Sequence, residues 1–306
     1  MRRLMTSCLL LATACGARLS GNPVEGQLAD AAPAADAAAD DAAPPPDAAP
    51  LGPWSTPARV GPAALTTRIE DDVTLSSDAR ELIFAVANPT GSKDLYYTSR
   101  AVIGAAWTTP AVLLPFDTIA ASEETPRFSG DDKTLYFASD RVTPGNLDIY
   151  AVTRPAAGST QWGLPRVVTG LATGVIEKWF APCGTDRYVV VRSTTAAGTD
   201  LFEGTLGGGA PAAIPSLNSP DNETGSFLTQ DCLTIYFAST RVTPQKIFVS
   251  HRATATAAWP QPMPVDDFKI TGGNGNQEDP WLSSDGRTFA FASDAAGDKD
   301  IYLSTR

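Results

Sequence analysis

The sequence predicts an all-β fold in which five four-stranded antiparallel sheets close into a ring, a five-bladed β-propeller. Three observations lead to this prediction. The 306 residues include 25 Gly and 25 Pro, a content that favours many short elements joined by turns over long helices. One turn-and-strand pattern recurs five times at intervals of 48 to 54 residues. The strand in that pattern is apolar and aromatic along almost its whole length, as expected of a strand covered on both faces.

Each unit carries three markers that define its strands. A turn of the Ser-x-Asp type precedes the apolar strand, and its aspartate position is occupied by Asp78, Asp131, Cys183, Asp231 and Asp285. A tripeptide of the Asp-Ile-Tyr type follows, at residues 94–96, 148–150, 200–202, 246–248 and 300–302. A tryptophan opens a short Pro-containing segment in four places, Trp54, Trp107, Trp162 and Trp259. Together the markers divide each unit into four short β-type runs separated by turn residues.

The arrangement of the units around an axis follows from burial. A single four-stranded unit cannot bury both of its faces, so the five units must stack on one another and close into a ring. The first predicted strand begins at Trp54, and the last one ends at Arg306. We therefore expect the N-terminal strand to complete the sheet formed by residues 278–306, which removes the open edge. Six blades are the alternative, and five are preferred because no sixth copy of the motif is visible.

The first 53 residues have the pattern of an export signal and a linker. Residues 1–15 combine a positive start with an apolar stretch, Leu4–Ala14, that is shorter than the roughly 20 residues needed to span a bilayer. The stretch ends at Cys15 in a sequence that resembles the bacterial lipobox, so we expect Cys15 to be lipidated; ordinary signal cleavage nearby is the alternative. Residues 16–53 form the linker. Its segment 30–50 contains only Ala, Pro and Asp and cannot bury enough apolar surface to fold.

The repeat in residues 54–306 resembles a known family. Its Ser-x-Asp-Gly turn, its aromatic strand ending in Ala-Ser-Asp-Arg and its Asp-Ile-Tyr marker are similar to the WD40-like repeat of TolB-type β-propellers. Residues 283–302 are the clearest copy and residues 129–150 the next. The sequence departs from the pattern where Cys183 and Lys246 replace aspartates. The resemblance implies protein–protein interaction at the cell envelope. Gly16, which follows the lipobox cysteine, implies by the lipoprotein resemblance a place on the outer membrane or the cell surface.

An acidic residue precedes the first strand of every unit, at the loop that leads into the innermost strand of a blade. These residues are Asp71, Glu124, Glu177, Glu223 and Glu278, with the middle pair, Glu177 and Glu223, offset by one position. The five carboxylates are candidates to ring one mouth of the central channel, where they could attract a cation such as Ca²⁺ or a basic peptide segment. The alternative is that each carboxylate caps backbone N–H groups within its own blade, and the repetition of the residue favours this alternative. No other cofactor is expected.

Two cysteines, Cys183 and Cys232, lie outside the export signal and fall in the same turn of neighbouring units. Disulfides persist outside the cytoplasm, and turns of adjacent blades on one rim can approach within bonding distance. We therefore predict a Cys183–Cys232 disulfide, with two separate thiols as the alternative.

Charge and composition exclude several classes of function. The net charge of −11 disfavours binding to nucleic acid. The single histidine, His251, argues against His-based metal sites and a Ser-His-Asp triad. Glycoside hydrolysis would need two carboxylates across a cleft. The acids outside the repeat pattern that could supply them are Asp266, Asp267, Asp279 and Glu177.

The preferred interpretation is a monomeric, non-catalytic scaffold at the cell envelope that binds a protein or peptide. No pair among those acids stands out as catalytic. A carbohydrate-binding or glycan-cleaving propeller is the alternative, with the irregular loop at residues 271–277 as its binding element. Aromatic side chains lining a pocket on that face would favour the alternative, because sugars stack on aromatic rings.

Overall fold

The computed structural model describes residues 51–61, 66, 68–89, 91–113, 116, 118, 120–194, 198–270 and 273–306. The chain divides into two units, Met1–Ala49 and Pro50–Arg306. The predicted export signal, the lipidation of Cys15 and residues 16–50 of the linker lie outside the described residues. Within the described part, no helix is long and apolar enough to cross a membrane.

The described residues form twenty strands in five antiparallel four-stranded sheets, so the predicted five-bladed propeller is confirmed. Blade one contains β2 (Glu70–Leu75), β3 (Glu81–Ala87), β4 (Lys93–Ser99) and β5 (Ala111–Val112). Blade two contains β6 (Glu123–Phe128), β7 (Thr134–Ser139), β8 (Asp148–Thr153) and β9 (Arg166–Val167). Blade three contains β10 (Glu177–Cys183), β11 (Arg187–Ser193), β12 (Thr199–Thr205) and β13 (Ala212–Ala213). Blade four contains β14 (Glu223–Leu228), β15 (Thr234–Ser239), β16 (Lys246–His251) and β17 (Met263–Pro264). Blade five contains β18 (Gln277–Leu282), β19 (Thr288–Ser293), β20 (Asp300–Thr305) and β1 (Ala58–Arg59).

The N-terminal strand closes the ring as predicted. Ala58 and Arg59 of β1 pair antiparallel with Leu303 and Tyr302 of β20. The backbone N–H of Ser55 extends this pairing by donating to the carbonyl of Thr305 at 2.7 Å. The two ends of the domain are therefore joined through hydrogen bonds, and the last blade has its fourth strand.

The hydrophobic core lies between neighbouring blades. The second strand of each blade is covered on both faces, and the phenylalanines at its centre, such as Phe137 and Phe237, are fully buried. One cluster joins Ile83 and Ala85 of blade one to Phe128 and Phe137 of blade two. Burying a phenylalanine stabilises the fold by roughly 1.5–3 kcal/mol, so the stacked blades stabilise one another.

The tryptophan marker of the repeat is explained by a stacked arginine. In four blades an arginine at the end of the third strand donates from Nε to the carbonyl of the Ser-x-Asp turn, and its guanidinium lies over the marker tryptophan. The pairs are Arg100 with Trp107, Arg154 with Trp162, Arg252 with Trp259 and Arg306 with Trp54, at 3.9 to 4.7 Å from the ring centre. Blade three lacks both members, since Leu206 stands at the arginine position.

Candidate functional site

The five innermost strands share a β-bulge at the channel axis. Each strand shifts its register after its second residue. The third residue has a positive φ in every blade: Asp72, Thr125, Trp179, Gly225 and Asp279, with values of 48 to 53°. Side chains other than glycine rarely adopt this conformation, and such residues cluster at functional sites. The shared bulge therefore indicates that a functional site lies at the channel axis.

A cluster of buried carboxylates lies at this level. Asp71, Asp72 and Asp279 place one carboxylate oxygen each within 4.8 Å of one another. The indole N–H of Trp179 donates to Asp72 Oδ1 at 3.0 Å and to Asp279 Oδ1 at 2.7 Å. Trp179 belongs to blade three, whereas the two carboxylates come from blades one and five. The contact therefore crosses the axis of the channel.

Three lysines pair with the carboxylates at this end of the channel. Lys93 Nζ lies 2.9 Å from both Asp71 and Asp72. Lys299 Nζ lies 3.2 Å from Asp71 and 2.9 Å from Glu278. A third ammonium group is that of Lys178, which contacts Glu124 at 2.6 Å and lies 4.5 Å from the ring centre of Trp179. Lys93 and Lys299 thus form ion pairs with carboxylates that an inorganic cation would also use.

The pKa values in the cluster diverge because the groups are close together and buried. Burial and the negative charges of Asp72 and Asp71 raise the pKa of Asp279 well above its usual value. Burial alone would also raise the pKa of Asp71, but Lys93 and Lys299 outweigh it and hold that pKa low. The same balance lowers the pKa of Glu124 through Lys178 and Lys93. The pKa of Asp279 is therefore shifted upward and that of Asp71 downward within one cluster.

The structure brings together three of the five acidic residues expected at the channel mouth. Asp71, Glu124 and Glu278 occupy the second position of their innermost strands and share the lysines described above. Glu177 and Glu223 occupy the first position, fully buried, and pair within their own blades with Arg192 at 2.7 Å and Arg241 at 2.8 Å.

Blades three and four thus carry Lys178 and Thr224 at the mouth position. An alignment of the first two residues of each innermost strand distinguishes blades one, two and five from blades three and four. The first position reads Glu, Glu, Glu, Glu and Gln from blade one to blade five. The second position reads Asp, Glu, Lys, Thr and Glu.

The opposite end of the channel is an open cavity of about 370 Å³, which we call the funnel. Its wall is formed by apolar residues at the ends of the innermost strands: Leu75, Phe128, Pro182, Leu228 and Leu282. Its rim is mostly polar and includes Ser77, Gly130, Gln230, Asp231 and Ser284. Its floor contains Phe227, Trp281 and one charged side chain, Arg127. The funnel therefore combines an apolar body with few polar groups, the usual character of a ligand pocket.

Turn residues around the funnel serve the structure. In four blades the aspartate of the Ser-x-Asp turn accepts from the hydroxyl two residues earlier, at 2.5 to 2.7 Å. Cys183 and Cys232 are joined by a disulfide, with an S–S distance of 2.07 Å and Cα atoms 5.3 Å apart. This bond ties the turns of blades three and four together beside the funnel-lining residues Pro182 and Asp231.

The other candidate residues lie apart from the channel or are already paired. His251 is exposed, and its Nδ1 lies 3.0 Å from the Thr234 hydroxyl. Asp266 lines a separate cavity beside residues 273–277. The one aromatic residue among the described lining of that cavity, Phe268, is only 2% exposed. Thr271 and Gly272 of the irregular loop lie outside the described residues. Of the non-repeated acids, only Asp279 reaches the channel cluster.

Comparison with known proteins supports the fold and leaves the function open. No protein-family model and no curated protein matches the sequence. The catalytic domain of a GH62 α-L-arabinofuranosidase from Coprinopsis cinerea is 12% identical, with 83% of this chain and 97% of that chain covered and a TM-score of 0.56. A Podospora anserina α-L-arabinofuranosidase in complex with cellotriose is also 12% identical, with coverage of 83% and 96% and a TM-score of 0.53.

TolB proteins are also among the similar structures. A protein described as TolB from Agrobacterium tumefaciens is 14% identical over 79% of this chain and 91% of that chain, with a TM-score of 0.49. The likeness to the two arabinofuranosidases establishes the fold alone. At such identities no residue role passes from one chain to another.

Proposed function

We propose that the chain is a non-catalytic binding module of the cell envelope and that its ligand, a protein or peptide segment, enters the funnel. The observation that carries the proposal is the funnel itself. It is an open cavity of about 370 Å³ with an apolar wall, a polar rim and one charged group at its floor. Ligand pockets of roughly 300–1,000 Å³ with this pattern are typical of binding sites.

The carboxylate cluster favours a structural role over glycan cleavage. A glycosidase needs a general acid and a second carboxylate that both face the substrate. Here Asp71 and Asp72 contact Lys93, and Asp279 accepts the indole N–H of Trp179. These carboxylates hold the blades together across the axis. The alternative is carbohydrate binding at the 271–277 face. The aromatic side chain that lines this face, Phe268, is buried, so it offers no surface on which a sugar could stack.

An uncharged apolar dye, N-phenyl-1-naphthylamine, tests the site. We expect one dye per chain to bind with a rise in its fluorescence. Ser284 is an exposed rim residue, so Ser284→Trp should narrow the entrance and weaken binding by roughly tenfold or more without disturbing the core. The matched control is Leu164→Trp, at an exposed position away from the funnel. Equal binding by both variants would refute the site, and turnover of an aryl arabinofuranoside would refute the non-catalytic role.

The envelope location rests on the N-terminal sequence. We propose that residues 1–15 direct export, that Cys15 carries the lipid and that residues 16–53 act as a spacer between the membrane and the propeller. Expression of the full chain and of Cys15→Ala, followed by membrane fractionation and mass measurement of the N-terminus, tests this. Loss of membrane association in Cys15→Ala is expected. An unmodified Cys15, or a variant that stays with the membrane, would contradict it.

A further inference from the structure

Arg127 is an unusual group to find at the floor of an apolar cavity. It belongs to blade two, yet its Nη2 reaches across the axis to carbonyls of blades four and five, Ser226 at 3.1 Å and Pro280 at 3.4 Å. Its guanidinium lies 5.2 Å from the ring centre of Phe227. The residue is only 5% exposed and lines the funnel. The side chain therefore joins opposite blades at the floor of the funnel.

The hydrogen bonds of Arg127 are incomplete. Nε and Nη1 are both buried and have no hydrogen-bond partner among the described residues. Burial lowers the pKa of Arg127 to about 10, partly offset by Asp279 and Asp72, so it is charged at neutral pH. A buried charge with unused donors is costly, and most buried polar groups in proteins have partners. This side chain is thus prepared for an acceptor that the chain does not supply.

We propose that the funnel binds the C-terminus of a peptide that ends in apolar residues, and that Arg127 binds its terminal carboxylate. A carboxylate accepts two parallel N–H bonds from a guanidinium, an interaction stronger than bonds to neutral carbonyls. The guanidinium turns from the carbonyls of Ser226 and Pro280 towards the carboxylate as the ligand arrives. This inference rests on the proposed function, because it names the ligand class of the same funnel.

The shape and lining of the funnel favour a chain terminus. Phe227 and Trp281 at the floor and the leucines of the wall would surround the apolar side chains of the last residues. The rim offers the Gln230 amide and the Ser284 hydroxyl, which suit the polar backbone of a peptide where it leaves the cavity. The lining also includes the carboxylates of Asp132 and Asp231. A ligand with a single negative end therefore fits this site better than one that is acidic along its length.

Two peptides that differ only at the terminus test the proposal. The probes are fluorescein-Gly-Ser-Gly-Leu-Phe with a free carboxylate and the same peptide as the C-terminal amide, measured by fluorescence anisotropy on the full propeller. The free acid should bind roughly 10- to 100-fold more tightly than the amide, the range for a hydrogen bond to a charged group. It should also displace N-phenyl-1-naphthylamine from the wild type. A small acid, 4-phenylbutyrate, serves as the third probe.

Variants at Arg127 separate this proposal from the existence of the site. Arg127→Met should reduce the affinity for the free acid to that for the amide, and Arg127→Lys should restore part of the difference. Equal affinity of the wild type for acid and amide would overturn the proposal even if no variant folds. Tighter binding of 4-phenylbutyrate than of the peptide would overturn the peptide assignment. Dye binding that neither peptide displaces would overturn the inference while the funnel remained a binding site.

Discussion

The protonation of Asp279 gives the sharpest test of the channel cluster. Replacing Asp279 with asparagine removes the ability to ionise and keeps the shape of the side chain. The amide oxygen of the variant can still accept the indole N–H of Trp179, which in the wild type lies 2.7 Å from Oδ1. The amide nitrogen cannot accept the backbone N–H of Asp72, which lies 3.2 Å from Oδ2. That loss costs roughly 1 kcal/mol at every pH.

The test therefore compares the free energies of unfolding of the wild type and Asp279→Asn and follows how their difference changes with pH. The folded pKa of Asp279 is raised above the ordinary value of 3.8 by burial and by the charges of Asp72 and Asp71. Its protonation then stabilises the fold fully below about pH 4, and this contribution is lost as the pH rises towards the folded pKa. Each pH unit in that window changes the free energy of unfolding by up to about 1.4 kcal/mol.

Urea unfolding followed by tryptophan fluorescence, at half-unit steps from pH 4 to pH 8, measures this difference. The stability of the wild type relative to Asp279→Asn should fall as the pH rises. The exposed Asp298→Asn serves as the control for a general effect of charge and should show no such trend. A difference that stays flat, or that grows in favour of the wild type with rising pH, would show that Asp279 is ionised in the folded protein.

Three further predictions concern the stability of the ring. Cys183→Ser should lower the free energy of unfolding by at most about 4 kcal/mol, because the Cys183–Cys232 bond closes a loop of 49 residues; unfolding with and without reductant measures this. Arg154→Met should cost about 3–5 kcal/mol, because it leaves Glu81 buried without the arginine that bridges blades one and two at 2.7 and 2.8 Å. Trp54→Ala should cost about 3 kcal/mol and open the closure of the ring to proteases, because the indole packs on two phenylalanines and the terminal arginine.

Each of these has its own control and its own contrary outcome. The exposed pair between Arg80 and Asp78 is the comparison for Arg154, and Arg80→Met should change stability by no more than about 1 kcal/mol. Equal losses in Arg80→Met and Arg154→Met would contradict the importance of the bridge between blades. For the disulfide, a wild type whose unfolding is insensitive to reductant would contradict the prediction. For Trp54, a Trp54→Ala variant that resists proteases as well as the wild type would contradict the predicted opening of the ring.

The repeating features were predictable from the sequence because each blade packs against its neighbours in the same way. The Ser-x-Asp turns, the buried second strands and the closure at Trp54 each follow from local pattern or from contact between adjacent blades. The Arg–Trp stacks belong to the same class, and blade three loses the tryptophan and the arginine together. The offset of Glu177 and Glu223 separates them from the other three acids, because a shift of one residue places a strand side chain in a different environment.

The sequence by itself determined the number of blades, their strands and the way in which the ring closes, since each repeat buries its apolar faces only against copies of itself. Tertiary structure decided which residues meet at the axis. Asp72 and Asp279 are 207 residues apart and contact each other directly. Trp179 and Arg127 reach blades that are not their neighbours. Such contacts depend on positions where the repeat is broken, and periodicity carries no information about them.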